Sequence, residues 1–187
     1  MRIISGDFKG KKILEPTDRV TRPLKDLTKE SIFNIITHSN KFSIDLEESS
    51  ILDLFSGTGS FGLECLSRKA KHVTFVENYK KILPILKKNL LKLNSKNNYE
   101  IIEKDILGNL KITDLKQKFD IIFLDPPYKE NDLNKLLISL INYKIIKDEG
   151  IIIIHRHKKQ KDKLPDTFKI IEEKIYGISK IIFGKYS

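Results

Sequence analysis

The stretch Ile51–Glu64, "ILDLFSGTGSFGLE", decides how the rest of the chain is read. A short apolar run carrying Asp53 meets three glycines, Gly57, Gly59 and Gly62, spaced G-x-G-x-x-G. An apolar run feeding a glycine turn predicts a buried strand, a tight turn and a helix starting near Gly59. A further acid, Glu77, stands 20 positions after Gly57. That spacing also fits the fingerprint of dinucleotide binding, so the glycines alone leave two ligand classes open.

Downstream of this stretch, apolar runs alternate with amphipathic segments. "HVTFVE", "YEIIEKD", "DIIFLD" and "GIIIIH" read as strands, and "YKKILPILKKNLLKLN" and "DLNKLLISLINY" as helices. Pro84 is expected near a kink or in the early turns of its helix. The all-apolar "IIFL" and "IIII" suit parallel strands buried on both faces. "FKIIEEKIY" and "SKIIFGK" read as two closing strands around Gly177. Seven strands alternating with helices and ending in a hairpin give an α/β three-layer sandwich. Upstream, "RIIS" and "KKIL" read as a small hairpin and "LKDLTKESIFNIITHS" as a helix. "NKFSIDLEES" reads as a polar link.

Composition narrows the partners. The 187 residues favour one domain, and no run approaches the ~20 apolar residues that span a bilayer. The start lacks an apolar signal region, and the one cysteine, Cys65, excludes an internal disulfide. A cytoplasmic location is expected. Four scattered histidines give no metal-ligand spacing, so no metal is expected. The net charge of +10 points to a polyanion, nucleic acid first. A lysine-rich composition can produce such a charge without any binding role. The five arginines carry more weight, and Arg2, Arg19 and Arg22 lie near the start. Arginine suits bidentate phosphate contacts, which makes the N-terminal segment the favoured anion surface. The basic run from Arg156 to Lys163 is a second candidate, with a solvated turn the preferred reading.

In an open α/β sheet, ligands sit outside the carboxyl ends of the strands. The acids there form a series: Asp53, Glu77, Asp105 and Asp125. A carboxylate at Asp53 would face a pyrophosphate poorly, but it suits a ligand with a sulfonium and an amino group. S-adenosylmethionine is such a ligand. Glu77 could accept from both ribose hydroxyls, and Asp105 from the adenine amino group. Asp105 could equally cap the short "ILGNL" helix.

The last acid opens "DPPY", Asp125 to Tyr128. Two prolines fix φ twice and remove two donors, leaving a stiff loop that presents a carboxylate and carbonyl oxygens. That set suits methylation of an exocyclic amine on a base. Asp125 and the Pro126 carbonyl would accept the two amine hydrogens and aim the nitrogen lone pair. Asp125 would stabilise the developing positive charge. Tyr128 would stack on a base flipped out of its helix.

Taken together, these segments resemble the RsmD family of bacterial methyltransferases acting on guanine N2 of small-subunit (16S) ribosomal RNA. The resemblance runs nearly end to end, through "MRIISGDFKGKKI", "TRPLKDLTKESIFNII", "DLFSGTGSFGLECLSRKA", "FVE", "FDIIFLDPPY" and the late "YG". It implies a Rossmann-like class I methyltransferase domain over residues 41–187 and a hairpin-and-helix extension over 1–40. It places Asp53, Phe55, Gly57, Gly59, Glu77, Asn78, Asp105 and Ile106 around S-adenosylmethionine. Asp125, Pro126 and Tyr128 become catalytic, and Arg2, Arg22, Pro127 and Tyr128 substrate-binding. Thr21-Arg22-Pro23 would lie close to the active site. The implied partner is ribosomal RNA in a small-subunit assembly particle, met by a monomer. Leu27 stands where the family usually has an arginine, and His155 where it usually has an acid. No role is carried onto His155, read as a strand-end histidine, and Cys65 is expected to pack in the core.

Three other readings compete. The "DPPY" chemistry also serves adenine N6 and cytosine N4 of DNA or another RNA, although the chain has no separate target-recognition domain. A nicotinamide dehydrogenase would lack an evident hydride-transfer partner. A non-catalytic RNA-binding protein would not need Asp125.

Overall fold

The computed structural model describes residues 1–16, 18, 24–93, 98–108, 110–127 and 132–186. The expected Tyr128 platform, Arg19 and the Thr21-Arg22-Pro23 triplet lie outside the described residues. Helix α1 spans Asp26–His38, followed by β1 Ser50–Leu54, α2 Ser60–Ser67, β2 His72–Val76 and α3 Leu83–Leu93. Then come β3 Tyr99–Ile102, β4 Phe119–Leu124, α4 Leu133–Asn142, β5 Ile146–His157, β6 Phe168–Tyr176 and β7 Ser179–Tyr186. The strands form a seven-stranded sheet in the order β3-β2-β1-β4-β5-β7-β6. Neighbours from β3 to β5 are parallel, and β7 and β6 close the sheet as an antiparallel hairpin. The order reverses between β1 and β4, the switch point where ligands of such sheets bind.

Alternation of side chains sorts the strands onto two cores. Ile51, Ile121, Phe123, Ile151, Ile153, Ile181 and Phe183 face α1, α2 and α3. Leu52, Leu54, Ile122, Leu124, Ile152, Ile154 and Ile182 face α4 and the segment around Ile106–Leu115. The "ILDL", "IIFL" and "IIII" runs are thus apolar throughout because both faces are covered.

All eight residues of α2 are buried. Phe61 of α2 stacks on Phe123 at 4.1 Å and on Phe33 of α1 at 5.2 Å. Such ring pairs add about 0.5–1.5 kcal/mol each beyond area burial. Gly62 allows this packing: a Cβ there would lie 2.3 Å from the Phe75 ring.

Pro84 sits in the first turn of α3, within the early turns expected for it, where its missing N–H costs nothing. Some boundaries depart from expectation. Within the expected "ILGNL" helix, residues 106–108 form a turn, and Asn109 lies outside the described residues. Phe42, in the supposedly polar link, is buried against Phe183. Strand β5 runs on through Arg156 and His157, because β7 pairs with that extension.

The N-terminal hairpin is held by a single Arg2–Lys12 bridge with few cross-strand bonds, among them Ile3 N–H to the Lys11 carbonyl at 3.0 Å. Its main anchor is α2. Ile4 and Ser5 donate backbone N–H groups to the buried Glu64 carboxylate at 2.7 and 2.9 Å. Asp7 N–H reaches the Ser67 carbonyl at 2.8 Å. Glu64 also pairs with Arg68 at 2.9 Å and with the buried Lys29 of α1 at 3.7 Å. Burial pulls the Lys29 ammonium below its ordinary pKa, and Glu64 opposes that.

Two glycines of the N-terminal segment make a controlled test. Gly6 and Gly10 both have positive φ, but a Cβ on Gly6 would meet the Ser67 carbonyl oxygen at 1.8 Å while one on Gly10 meets nothing within 4 Å. Gly10→Ala is expected to cost about 1–2 kcal/mol from backbone strain alone. Gly6→Ala should cost at least about 1 kcal/mol more, because the turn must lift off α2. Urea unfolding of the two variants checks the difference.

Candidate active site

The site is assembled by strand register. Asp53 pairs with Phe123 and Leu124 with Ile154, so Asp125 and His155 are the next residues on adjacent parallel strands. Asp53, Phe123, Asp125, Ile153 and His155 then share the α1 face of the sheet. Asp53, Glu77 and Asp125 stand at the carboxyl ends of their strands, as expected, while β3 ends at Ile102 and leaves Asp105 in the turn beyond it.

Asp53 is 1% exposed and accepts the Gly62 backbone N–H at 3.0 Å. Burial holds its pKa well above the usual carboxylate range. The Gly62 bond opposes that shift, while the negative charges of Asp125 and Glu77 add to it. A buried acid surrounded by like charge would welcome a cation.

The turn after β1 is built from left-handed residues: Phe55 at φ 59°, Gly57 at 54° and Gly59 at 82°. Phe55 is the costly one, since a side chain rarely adopts this region, and such strain gathers at functional turns. Glu77 braces the turn. Its Oε2 accepts Gly57 N–H at 2.7 Å, and its Oε1 accepts the N–H groups of Asn78 and Tyr79 at 2.9 and 2.8 Å. Asn78 itself is exposed.

Asp105 is half-buried. Its Oδ1 accepts Leu107 N–H at 2.9 Å, and its carbonyl accepts Leu110 N–H at 2.8 Å. It therefore organises a turn, close to the capping role open to it from the sequence, while Ile106 is buried in the second core.

Asp125 is tied at both ends. Its N–H meets the Leu54 carbonyl at 3.3 Å, and its Oδ1 meets His155 Nδ1 at 2.8 Å. His155 Nε2 in turn meets Ser179 Oγ of β7 at 2.9 Å. Burial lowers the imidazole pKa, but the Asp125 charge and hydrogen bond outweigh it, and the net shift is upward. Pro126 is buried and Pro127 exposed. The Pro127 carbonyl accepts Arg156 Nη1 at 3.0 Å. Arg156 is fully buried and forks onto Asp162, with Nε at 3.0 and 3.1 Å and Nη2 at 2.6 Å. The first residue of the presumed basic loop is thus a brace behind Asp125-Pro126-Pro127, not a surface cation.

Arg2 is exposed, with its N–H on Asp26 and its carbonyl on Lys29. A groove of about 310 Å³ lies beside it, lined in part by Ile3, Lys11, Lys12 and Lys92. It shares no residue with the acids, and its lysines suit a polyanion. Sequence reasoning missed His155, Ser179, Arg156 and Asp162. What brings His155 beside Asp125 is the strand register, which no local sequence pattern signals.

A family model described as conserved hypothetical protein 95 matches residues 1–185. Ribosomal RNA small subunit methyltransferase D of Buchnera aphidicola subsp. Acyrthosiphon pisum is 38% identical over 173 residues, covering 92% of this chain and 86% of that protein. The protein of the same description from Haemophilus influenzae is 34% identical, covering 95% and 90%. A crystal structure of a putative methylase from Haemophilus influenzae is similar with a TM-score of 0.74 and 32% identity, covering 99% of this chain and 97% of that one.

Two variants test the electrostatics. A carboxyl whose folded pKa is raised favours folding while protonated, and that contribution is lost as pH rises through the folded pKa. Asp53→Asn should therefore stabilise the ligand-free protein, by a margin that grows in urea titrations as pH rises above the ordinary carboxylate range. Asp162→Ala strands the buried Arg156 cation and should cost about 3–5 kcal/mol, read as a fall in the unfolding midpoint.

Proposed function

The chain belongs to the family described as conserved hypothetical protein 95, the RsmD family, and from that premise we propose that it methylates the exocyclic N2 of a guanine in small-subunit ribosomal RNA. The methyl donor in this reading is S-adenosylmethionine. One observation carries the proposal: Asp125, the residue after β4, stands at the switch point beside the buried Asp53.

The residues present fit that donor. Asp53 is a buried carboxylate whose neighbouring charges are negative, so a sulfonium and an ammonium would relieve it. The left-handed turn at Phe55, Gly57 and Gly59 would hold the methionine part, with Asn78 nearby. Asp105 and Ile106 would hold the adenine. Glu77 would hold the ribose, though three backbone donors already occupy most of its roughly four lone-pair sites. A ribose hydroxyl would share Glu77 with the turn it braces. When bound, the cofactor supplies an electrophilic methyl carbon.

The chain's own groups supply alignment and charge. Asp125 and the Pro126 carbonyl accept the two amine hydrogens, which frees the nitrogen lone pair from the ring. The nitrogen gains positive charge as its bond to the methyl carbon forms and that carbon's bond to sulfur breaks, leaving neutral S-adenosylhomocysteine. The Asp125 carboxylate stabilises that charge and accepts the proton that restores a neutral amine. Arg156 keeps the proline loop in place from behind through the Pro127 carbonyl. Tyr128 would stack on the flipped guanine, and Arg22 would order the pocket or hold phosphate. Arg2 and the lysines of the groove beside it would take the RNA backbone, in a small-subunit assembly particle.

The test is transfer of labelled methyl to small-subunit particles or to duplex DNA, followed by mass spectrometry of the nucleosides. N2-methylguanosine from the particles is the expected result, and label found only in DNA overturns the reading. Asp125→Ala should cut turnover at least about a hundredfold, since it removes charge stabilisation in a dry site. Calorimetric binding of S-adenosylhomocysteine should persist in that variant. Wild-type turnover in Asp125→Ala would remove the catalytic role.

A further inference from the structure

His155 and Ser179 lie outside the residues that the proposed reaction uses, yet both are buried and joined to Asp125. The His155 side chain is 8% exposed and that of Asp125 20%, so the imidazole stands behind the carboxylate. A carboxylate only accepts, so the 2.8 Å contact places a proton on Nδ1, donated to Asp125 Oδ1. The hydroxyl of Ser179 serves Nε2 in either state: it donates to the neutral ring and accepts from the charged one. The ring is therefore held at both nitrogens, by groups from two different strands.

Asp125 needs such a hold. It is the residue after the last position of β4, and beyond it the backbone of the described loop is fixed by two prolines and by Arg156 on the Pro127 carbonyl. The backbone is rigid, but χ1 and χ2 of an aspartate are not fixed by a backbone. One oxygen pinned from behind selects a single orientation and leaves the other oxygen to the substrate. We propose that His155 is a positioning residue: its Nδ1–H fixes Oδ1 of Asp125 and reserves Oδ2 as the acceptor for the amine hydrogen. The proposal rests on the reading of Asp125 as the amine acceptor. It adds a dependence of that role on a residue that never touches the substrate.

Replacement by the two side-chain amides separates positioning from packing. In His155→Asn the amide N–H stands where Nδ1–H stood. In His155→Gln it reaches the Nε2 position, toward Ser179 and past Asp125. The assay is methyl transfer to unmodified small-subunit particles, with kcat and KM resolved, and calorimetry with S-adenosylhomocysteine. His155→Asn should hold kcat within about threefold of wild type, while His155→Gln should lose at least about tenfold, the scale of a misplaced catalytic group. KM and the dissociation constant of S-adenosylhomocysteine should stay within about twofold in both. His155→Leu should behave as His155→Gln.

Equal kcat for the asparagine and glutamine variants, or wild-type kcat in His155→Leu, overturns the proposal. Asp125→Asn in the same assay distinguishes the two failures. An inactive Asp125→Asn beside equal His155 variants removes only the positioning role. A fully active Asp125→Asn removes the amine-acceptor reading and the positioning role with it.

Discussion

Side-chain alternation across three adjacent parallel strands is the constraint on which this site depends. The pairings Asp53 with Phe123 and Leu124 with Ile154 put Asp53, Asp125 and His155 on one face, at one edge. A slip of one residue in β4 would send Asp125 to the α4 side and bring Leu124 to the ligand. What prevents the slip is the apolar cost. Ile121 and Phe123 fill the α1 side, Ile122 and Leu124 the α4 side, and all four are essentially fully buried. The Phe33–Phe61–Phe123 stack fixes the register further, since Phe123 must meet Phe61 and lies two residues before Asp125.

Order, type and approximate extent of the elements were legible because burial on two faces leaves unbroken apolar runs. Asp125 was legible for the same reason, as it terminates the apolar run over residues 121–124, while Asp53 was marked by interrupting one. The partners of Asp125 were not. His155 lies 30 residues downstream, and its place beside Asp125 follows from a register that no local pattern encodes. Arg156 was hidden by its company: in "RHKKQKDK" it reads as one more surface cation. It is buried because β5 continues two residues past His155 to pair with β7. Phe42 was likewise masked by polar neighbours. Tyr128 and Arg22, which the sequence singles out, lie outside the described residues.

The N-terminal segment illustrates a second limit of local reading. Its sequence suggests a hairpin, yet one bridge closes it, and the backbone N–H groups of Ile4, Ser5, Asp7 and Phe8 are spent on α2. Glu64 is the joint. It is fully buried and gathers two backbone N–H groups, Arg68 and Lys29, so that the extension, α1 and α2 meet at one carboxylate. Breaking such a buried network costs far more than losing a surface pair. The extension also shares the apolar cluster of the sheet through Ile3 and Ile13. Arg2 and the nearby lysines are therefore carried on a rigid support, as phosphate contacts that set register on an RNA would require.

Asp53 and Asp125 are treated in opposite ways, and the difference suits the two ligands that the proposed reaction brings to this edge. Asp53 is sealed, and burial together with the negative charges of Asp125 and Glu77 pushes its pKa up. Asp125 is partly open and backed by an imidazole whose own shift is upward because of that carboxylate. The Nδ1–H behind Asp125 is aimed at Oδ1 and offsets part of the negative charge that the two acids bring to one edge. The Asp125–His155–Ser179 chain thus acts on both halves of the site: it orients one acid and makes it affordable to keep the other nearby.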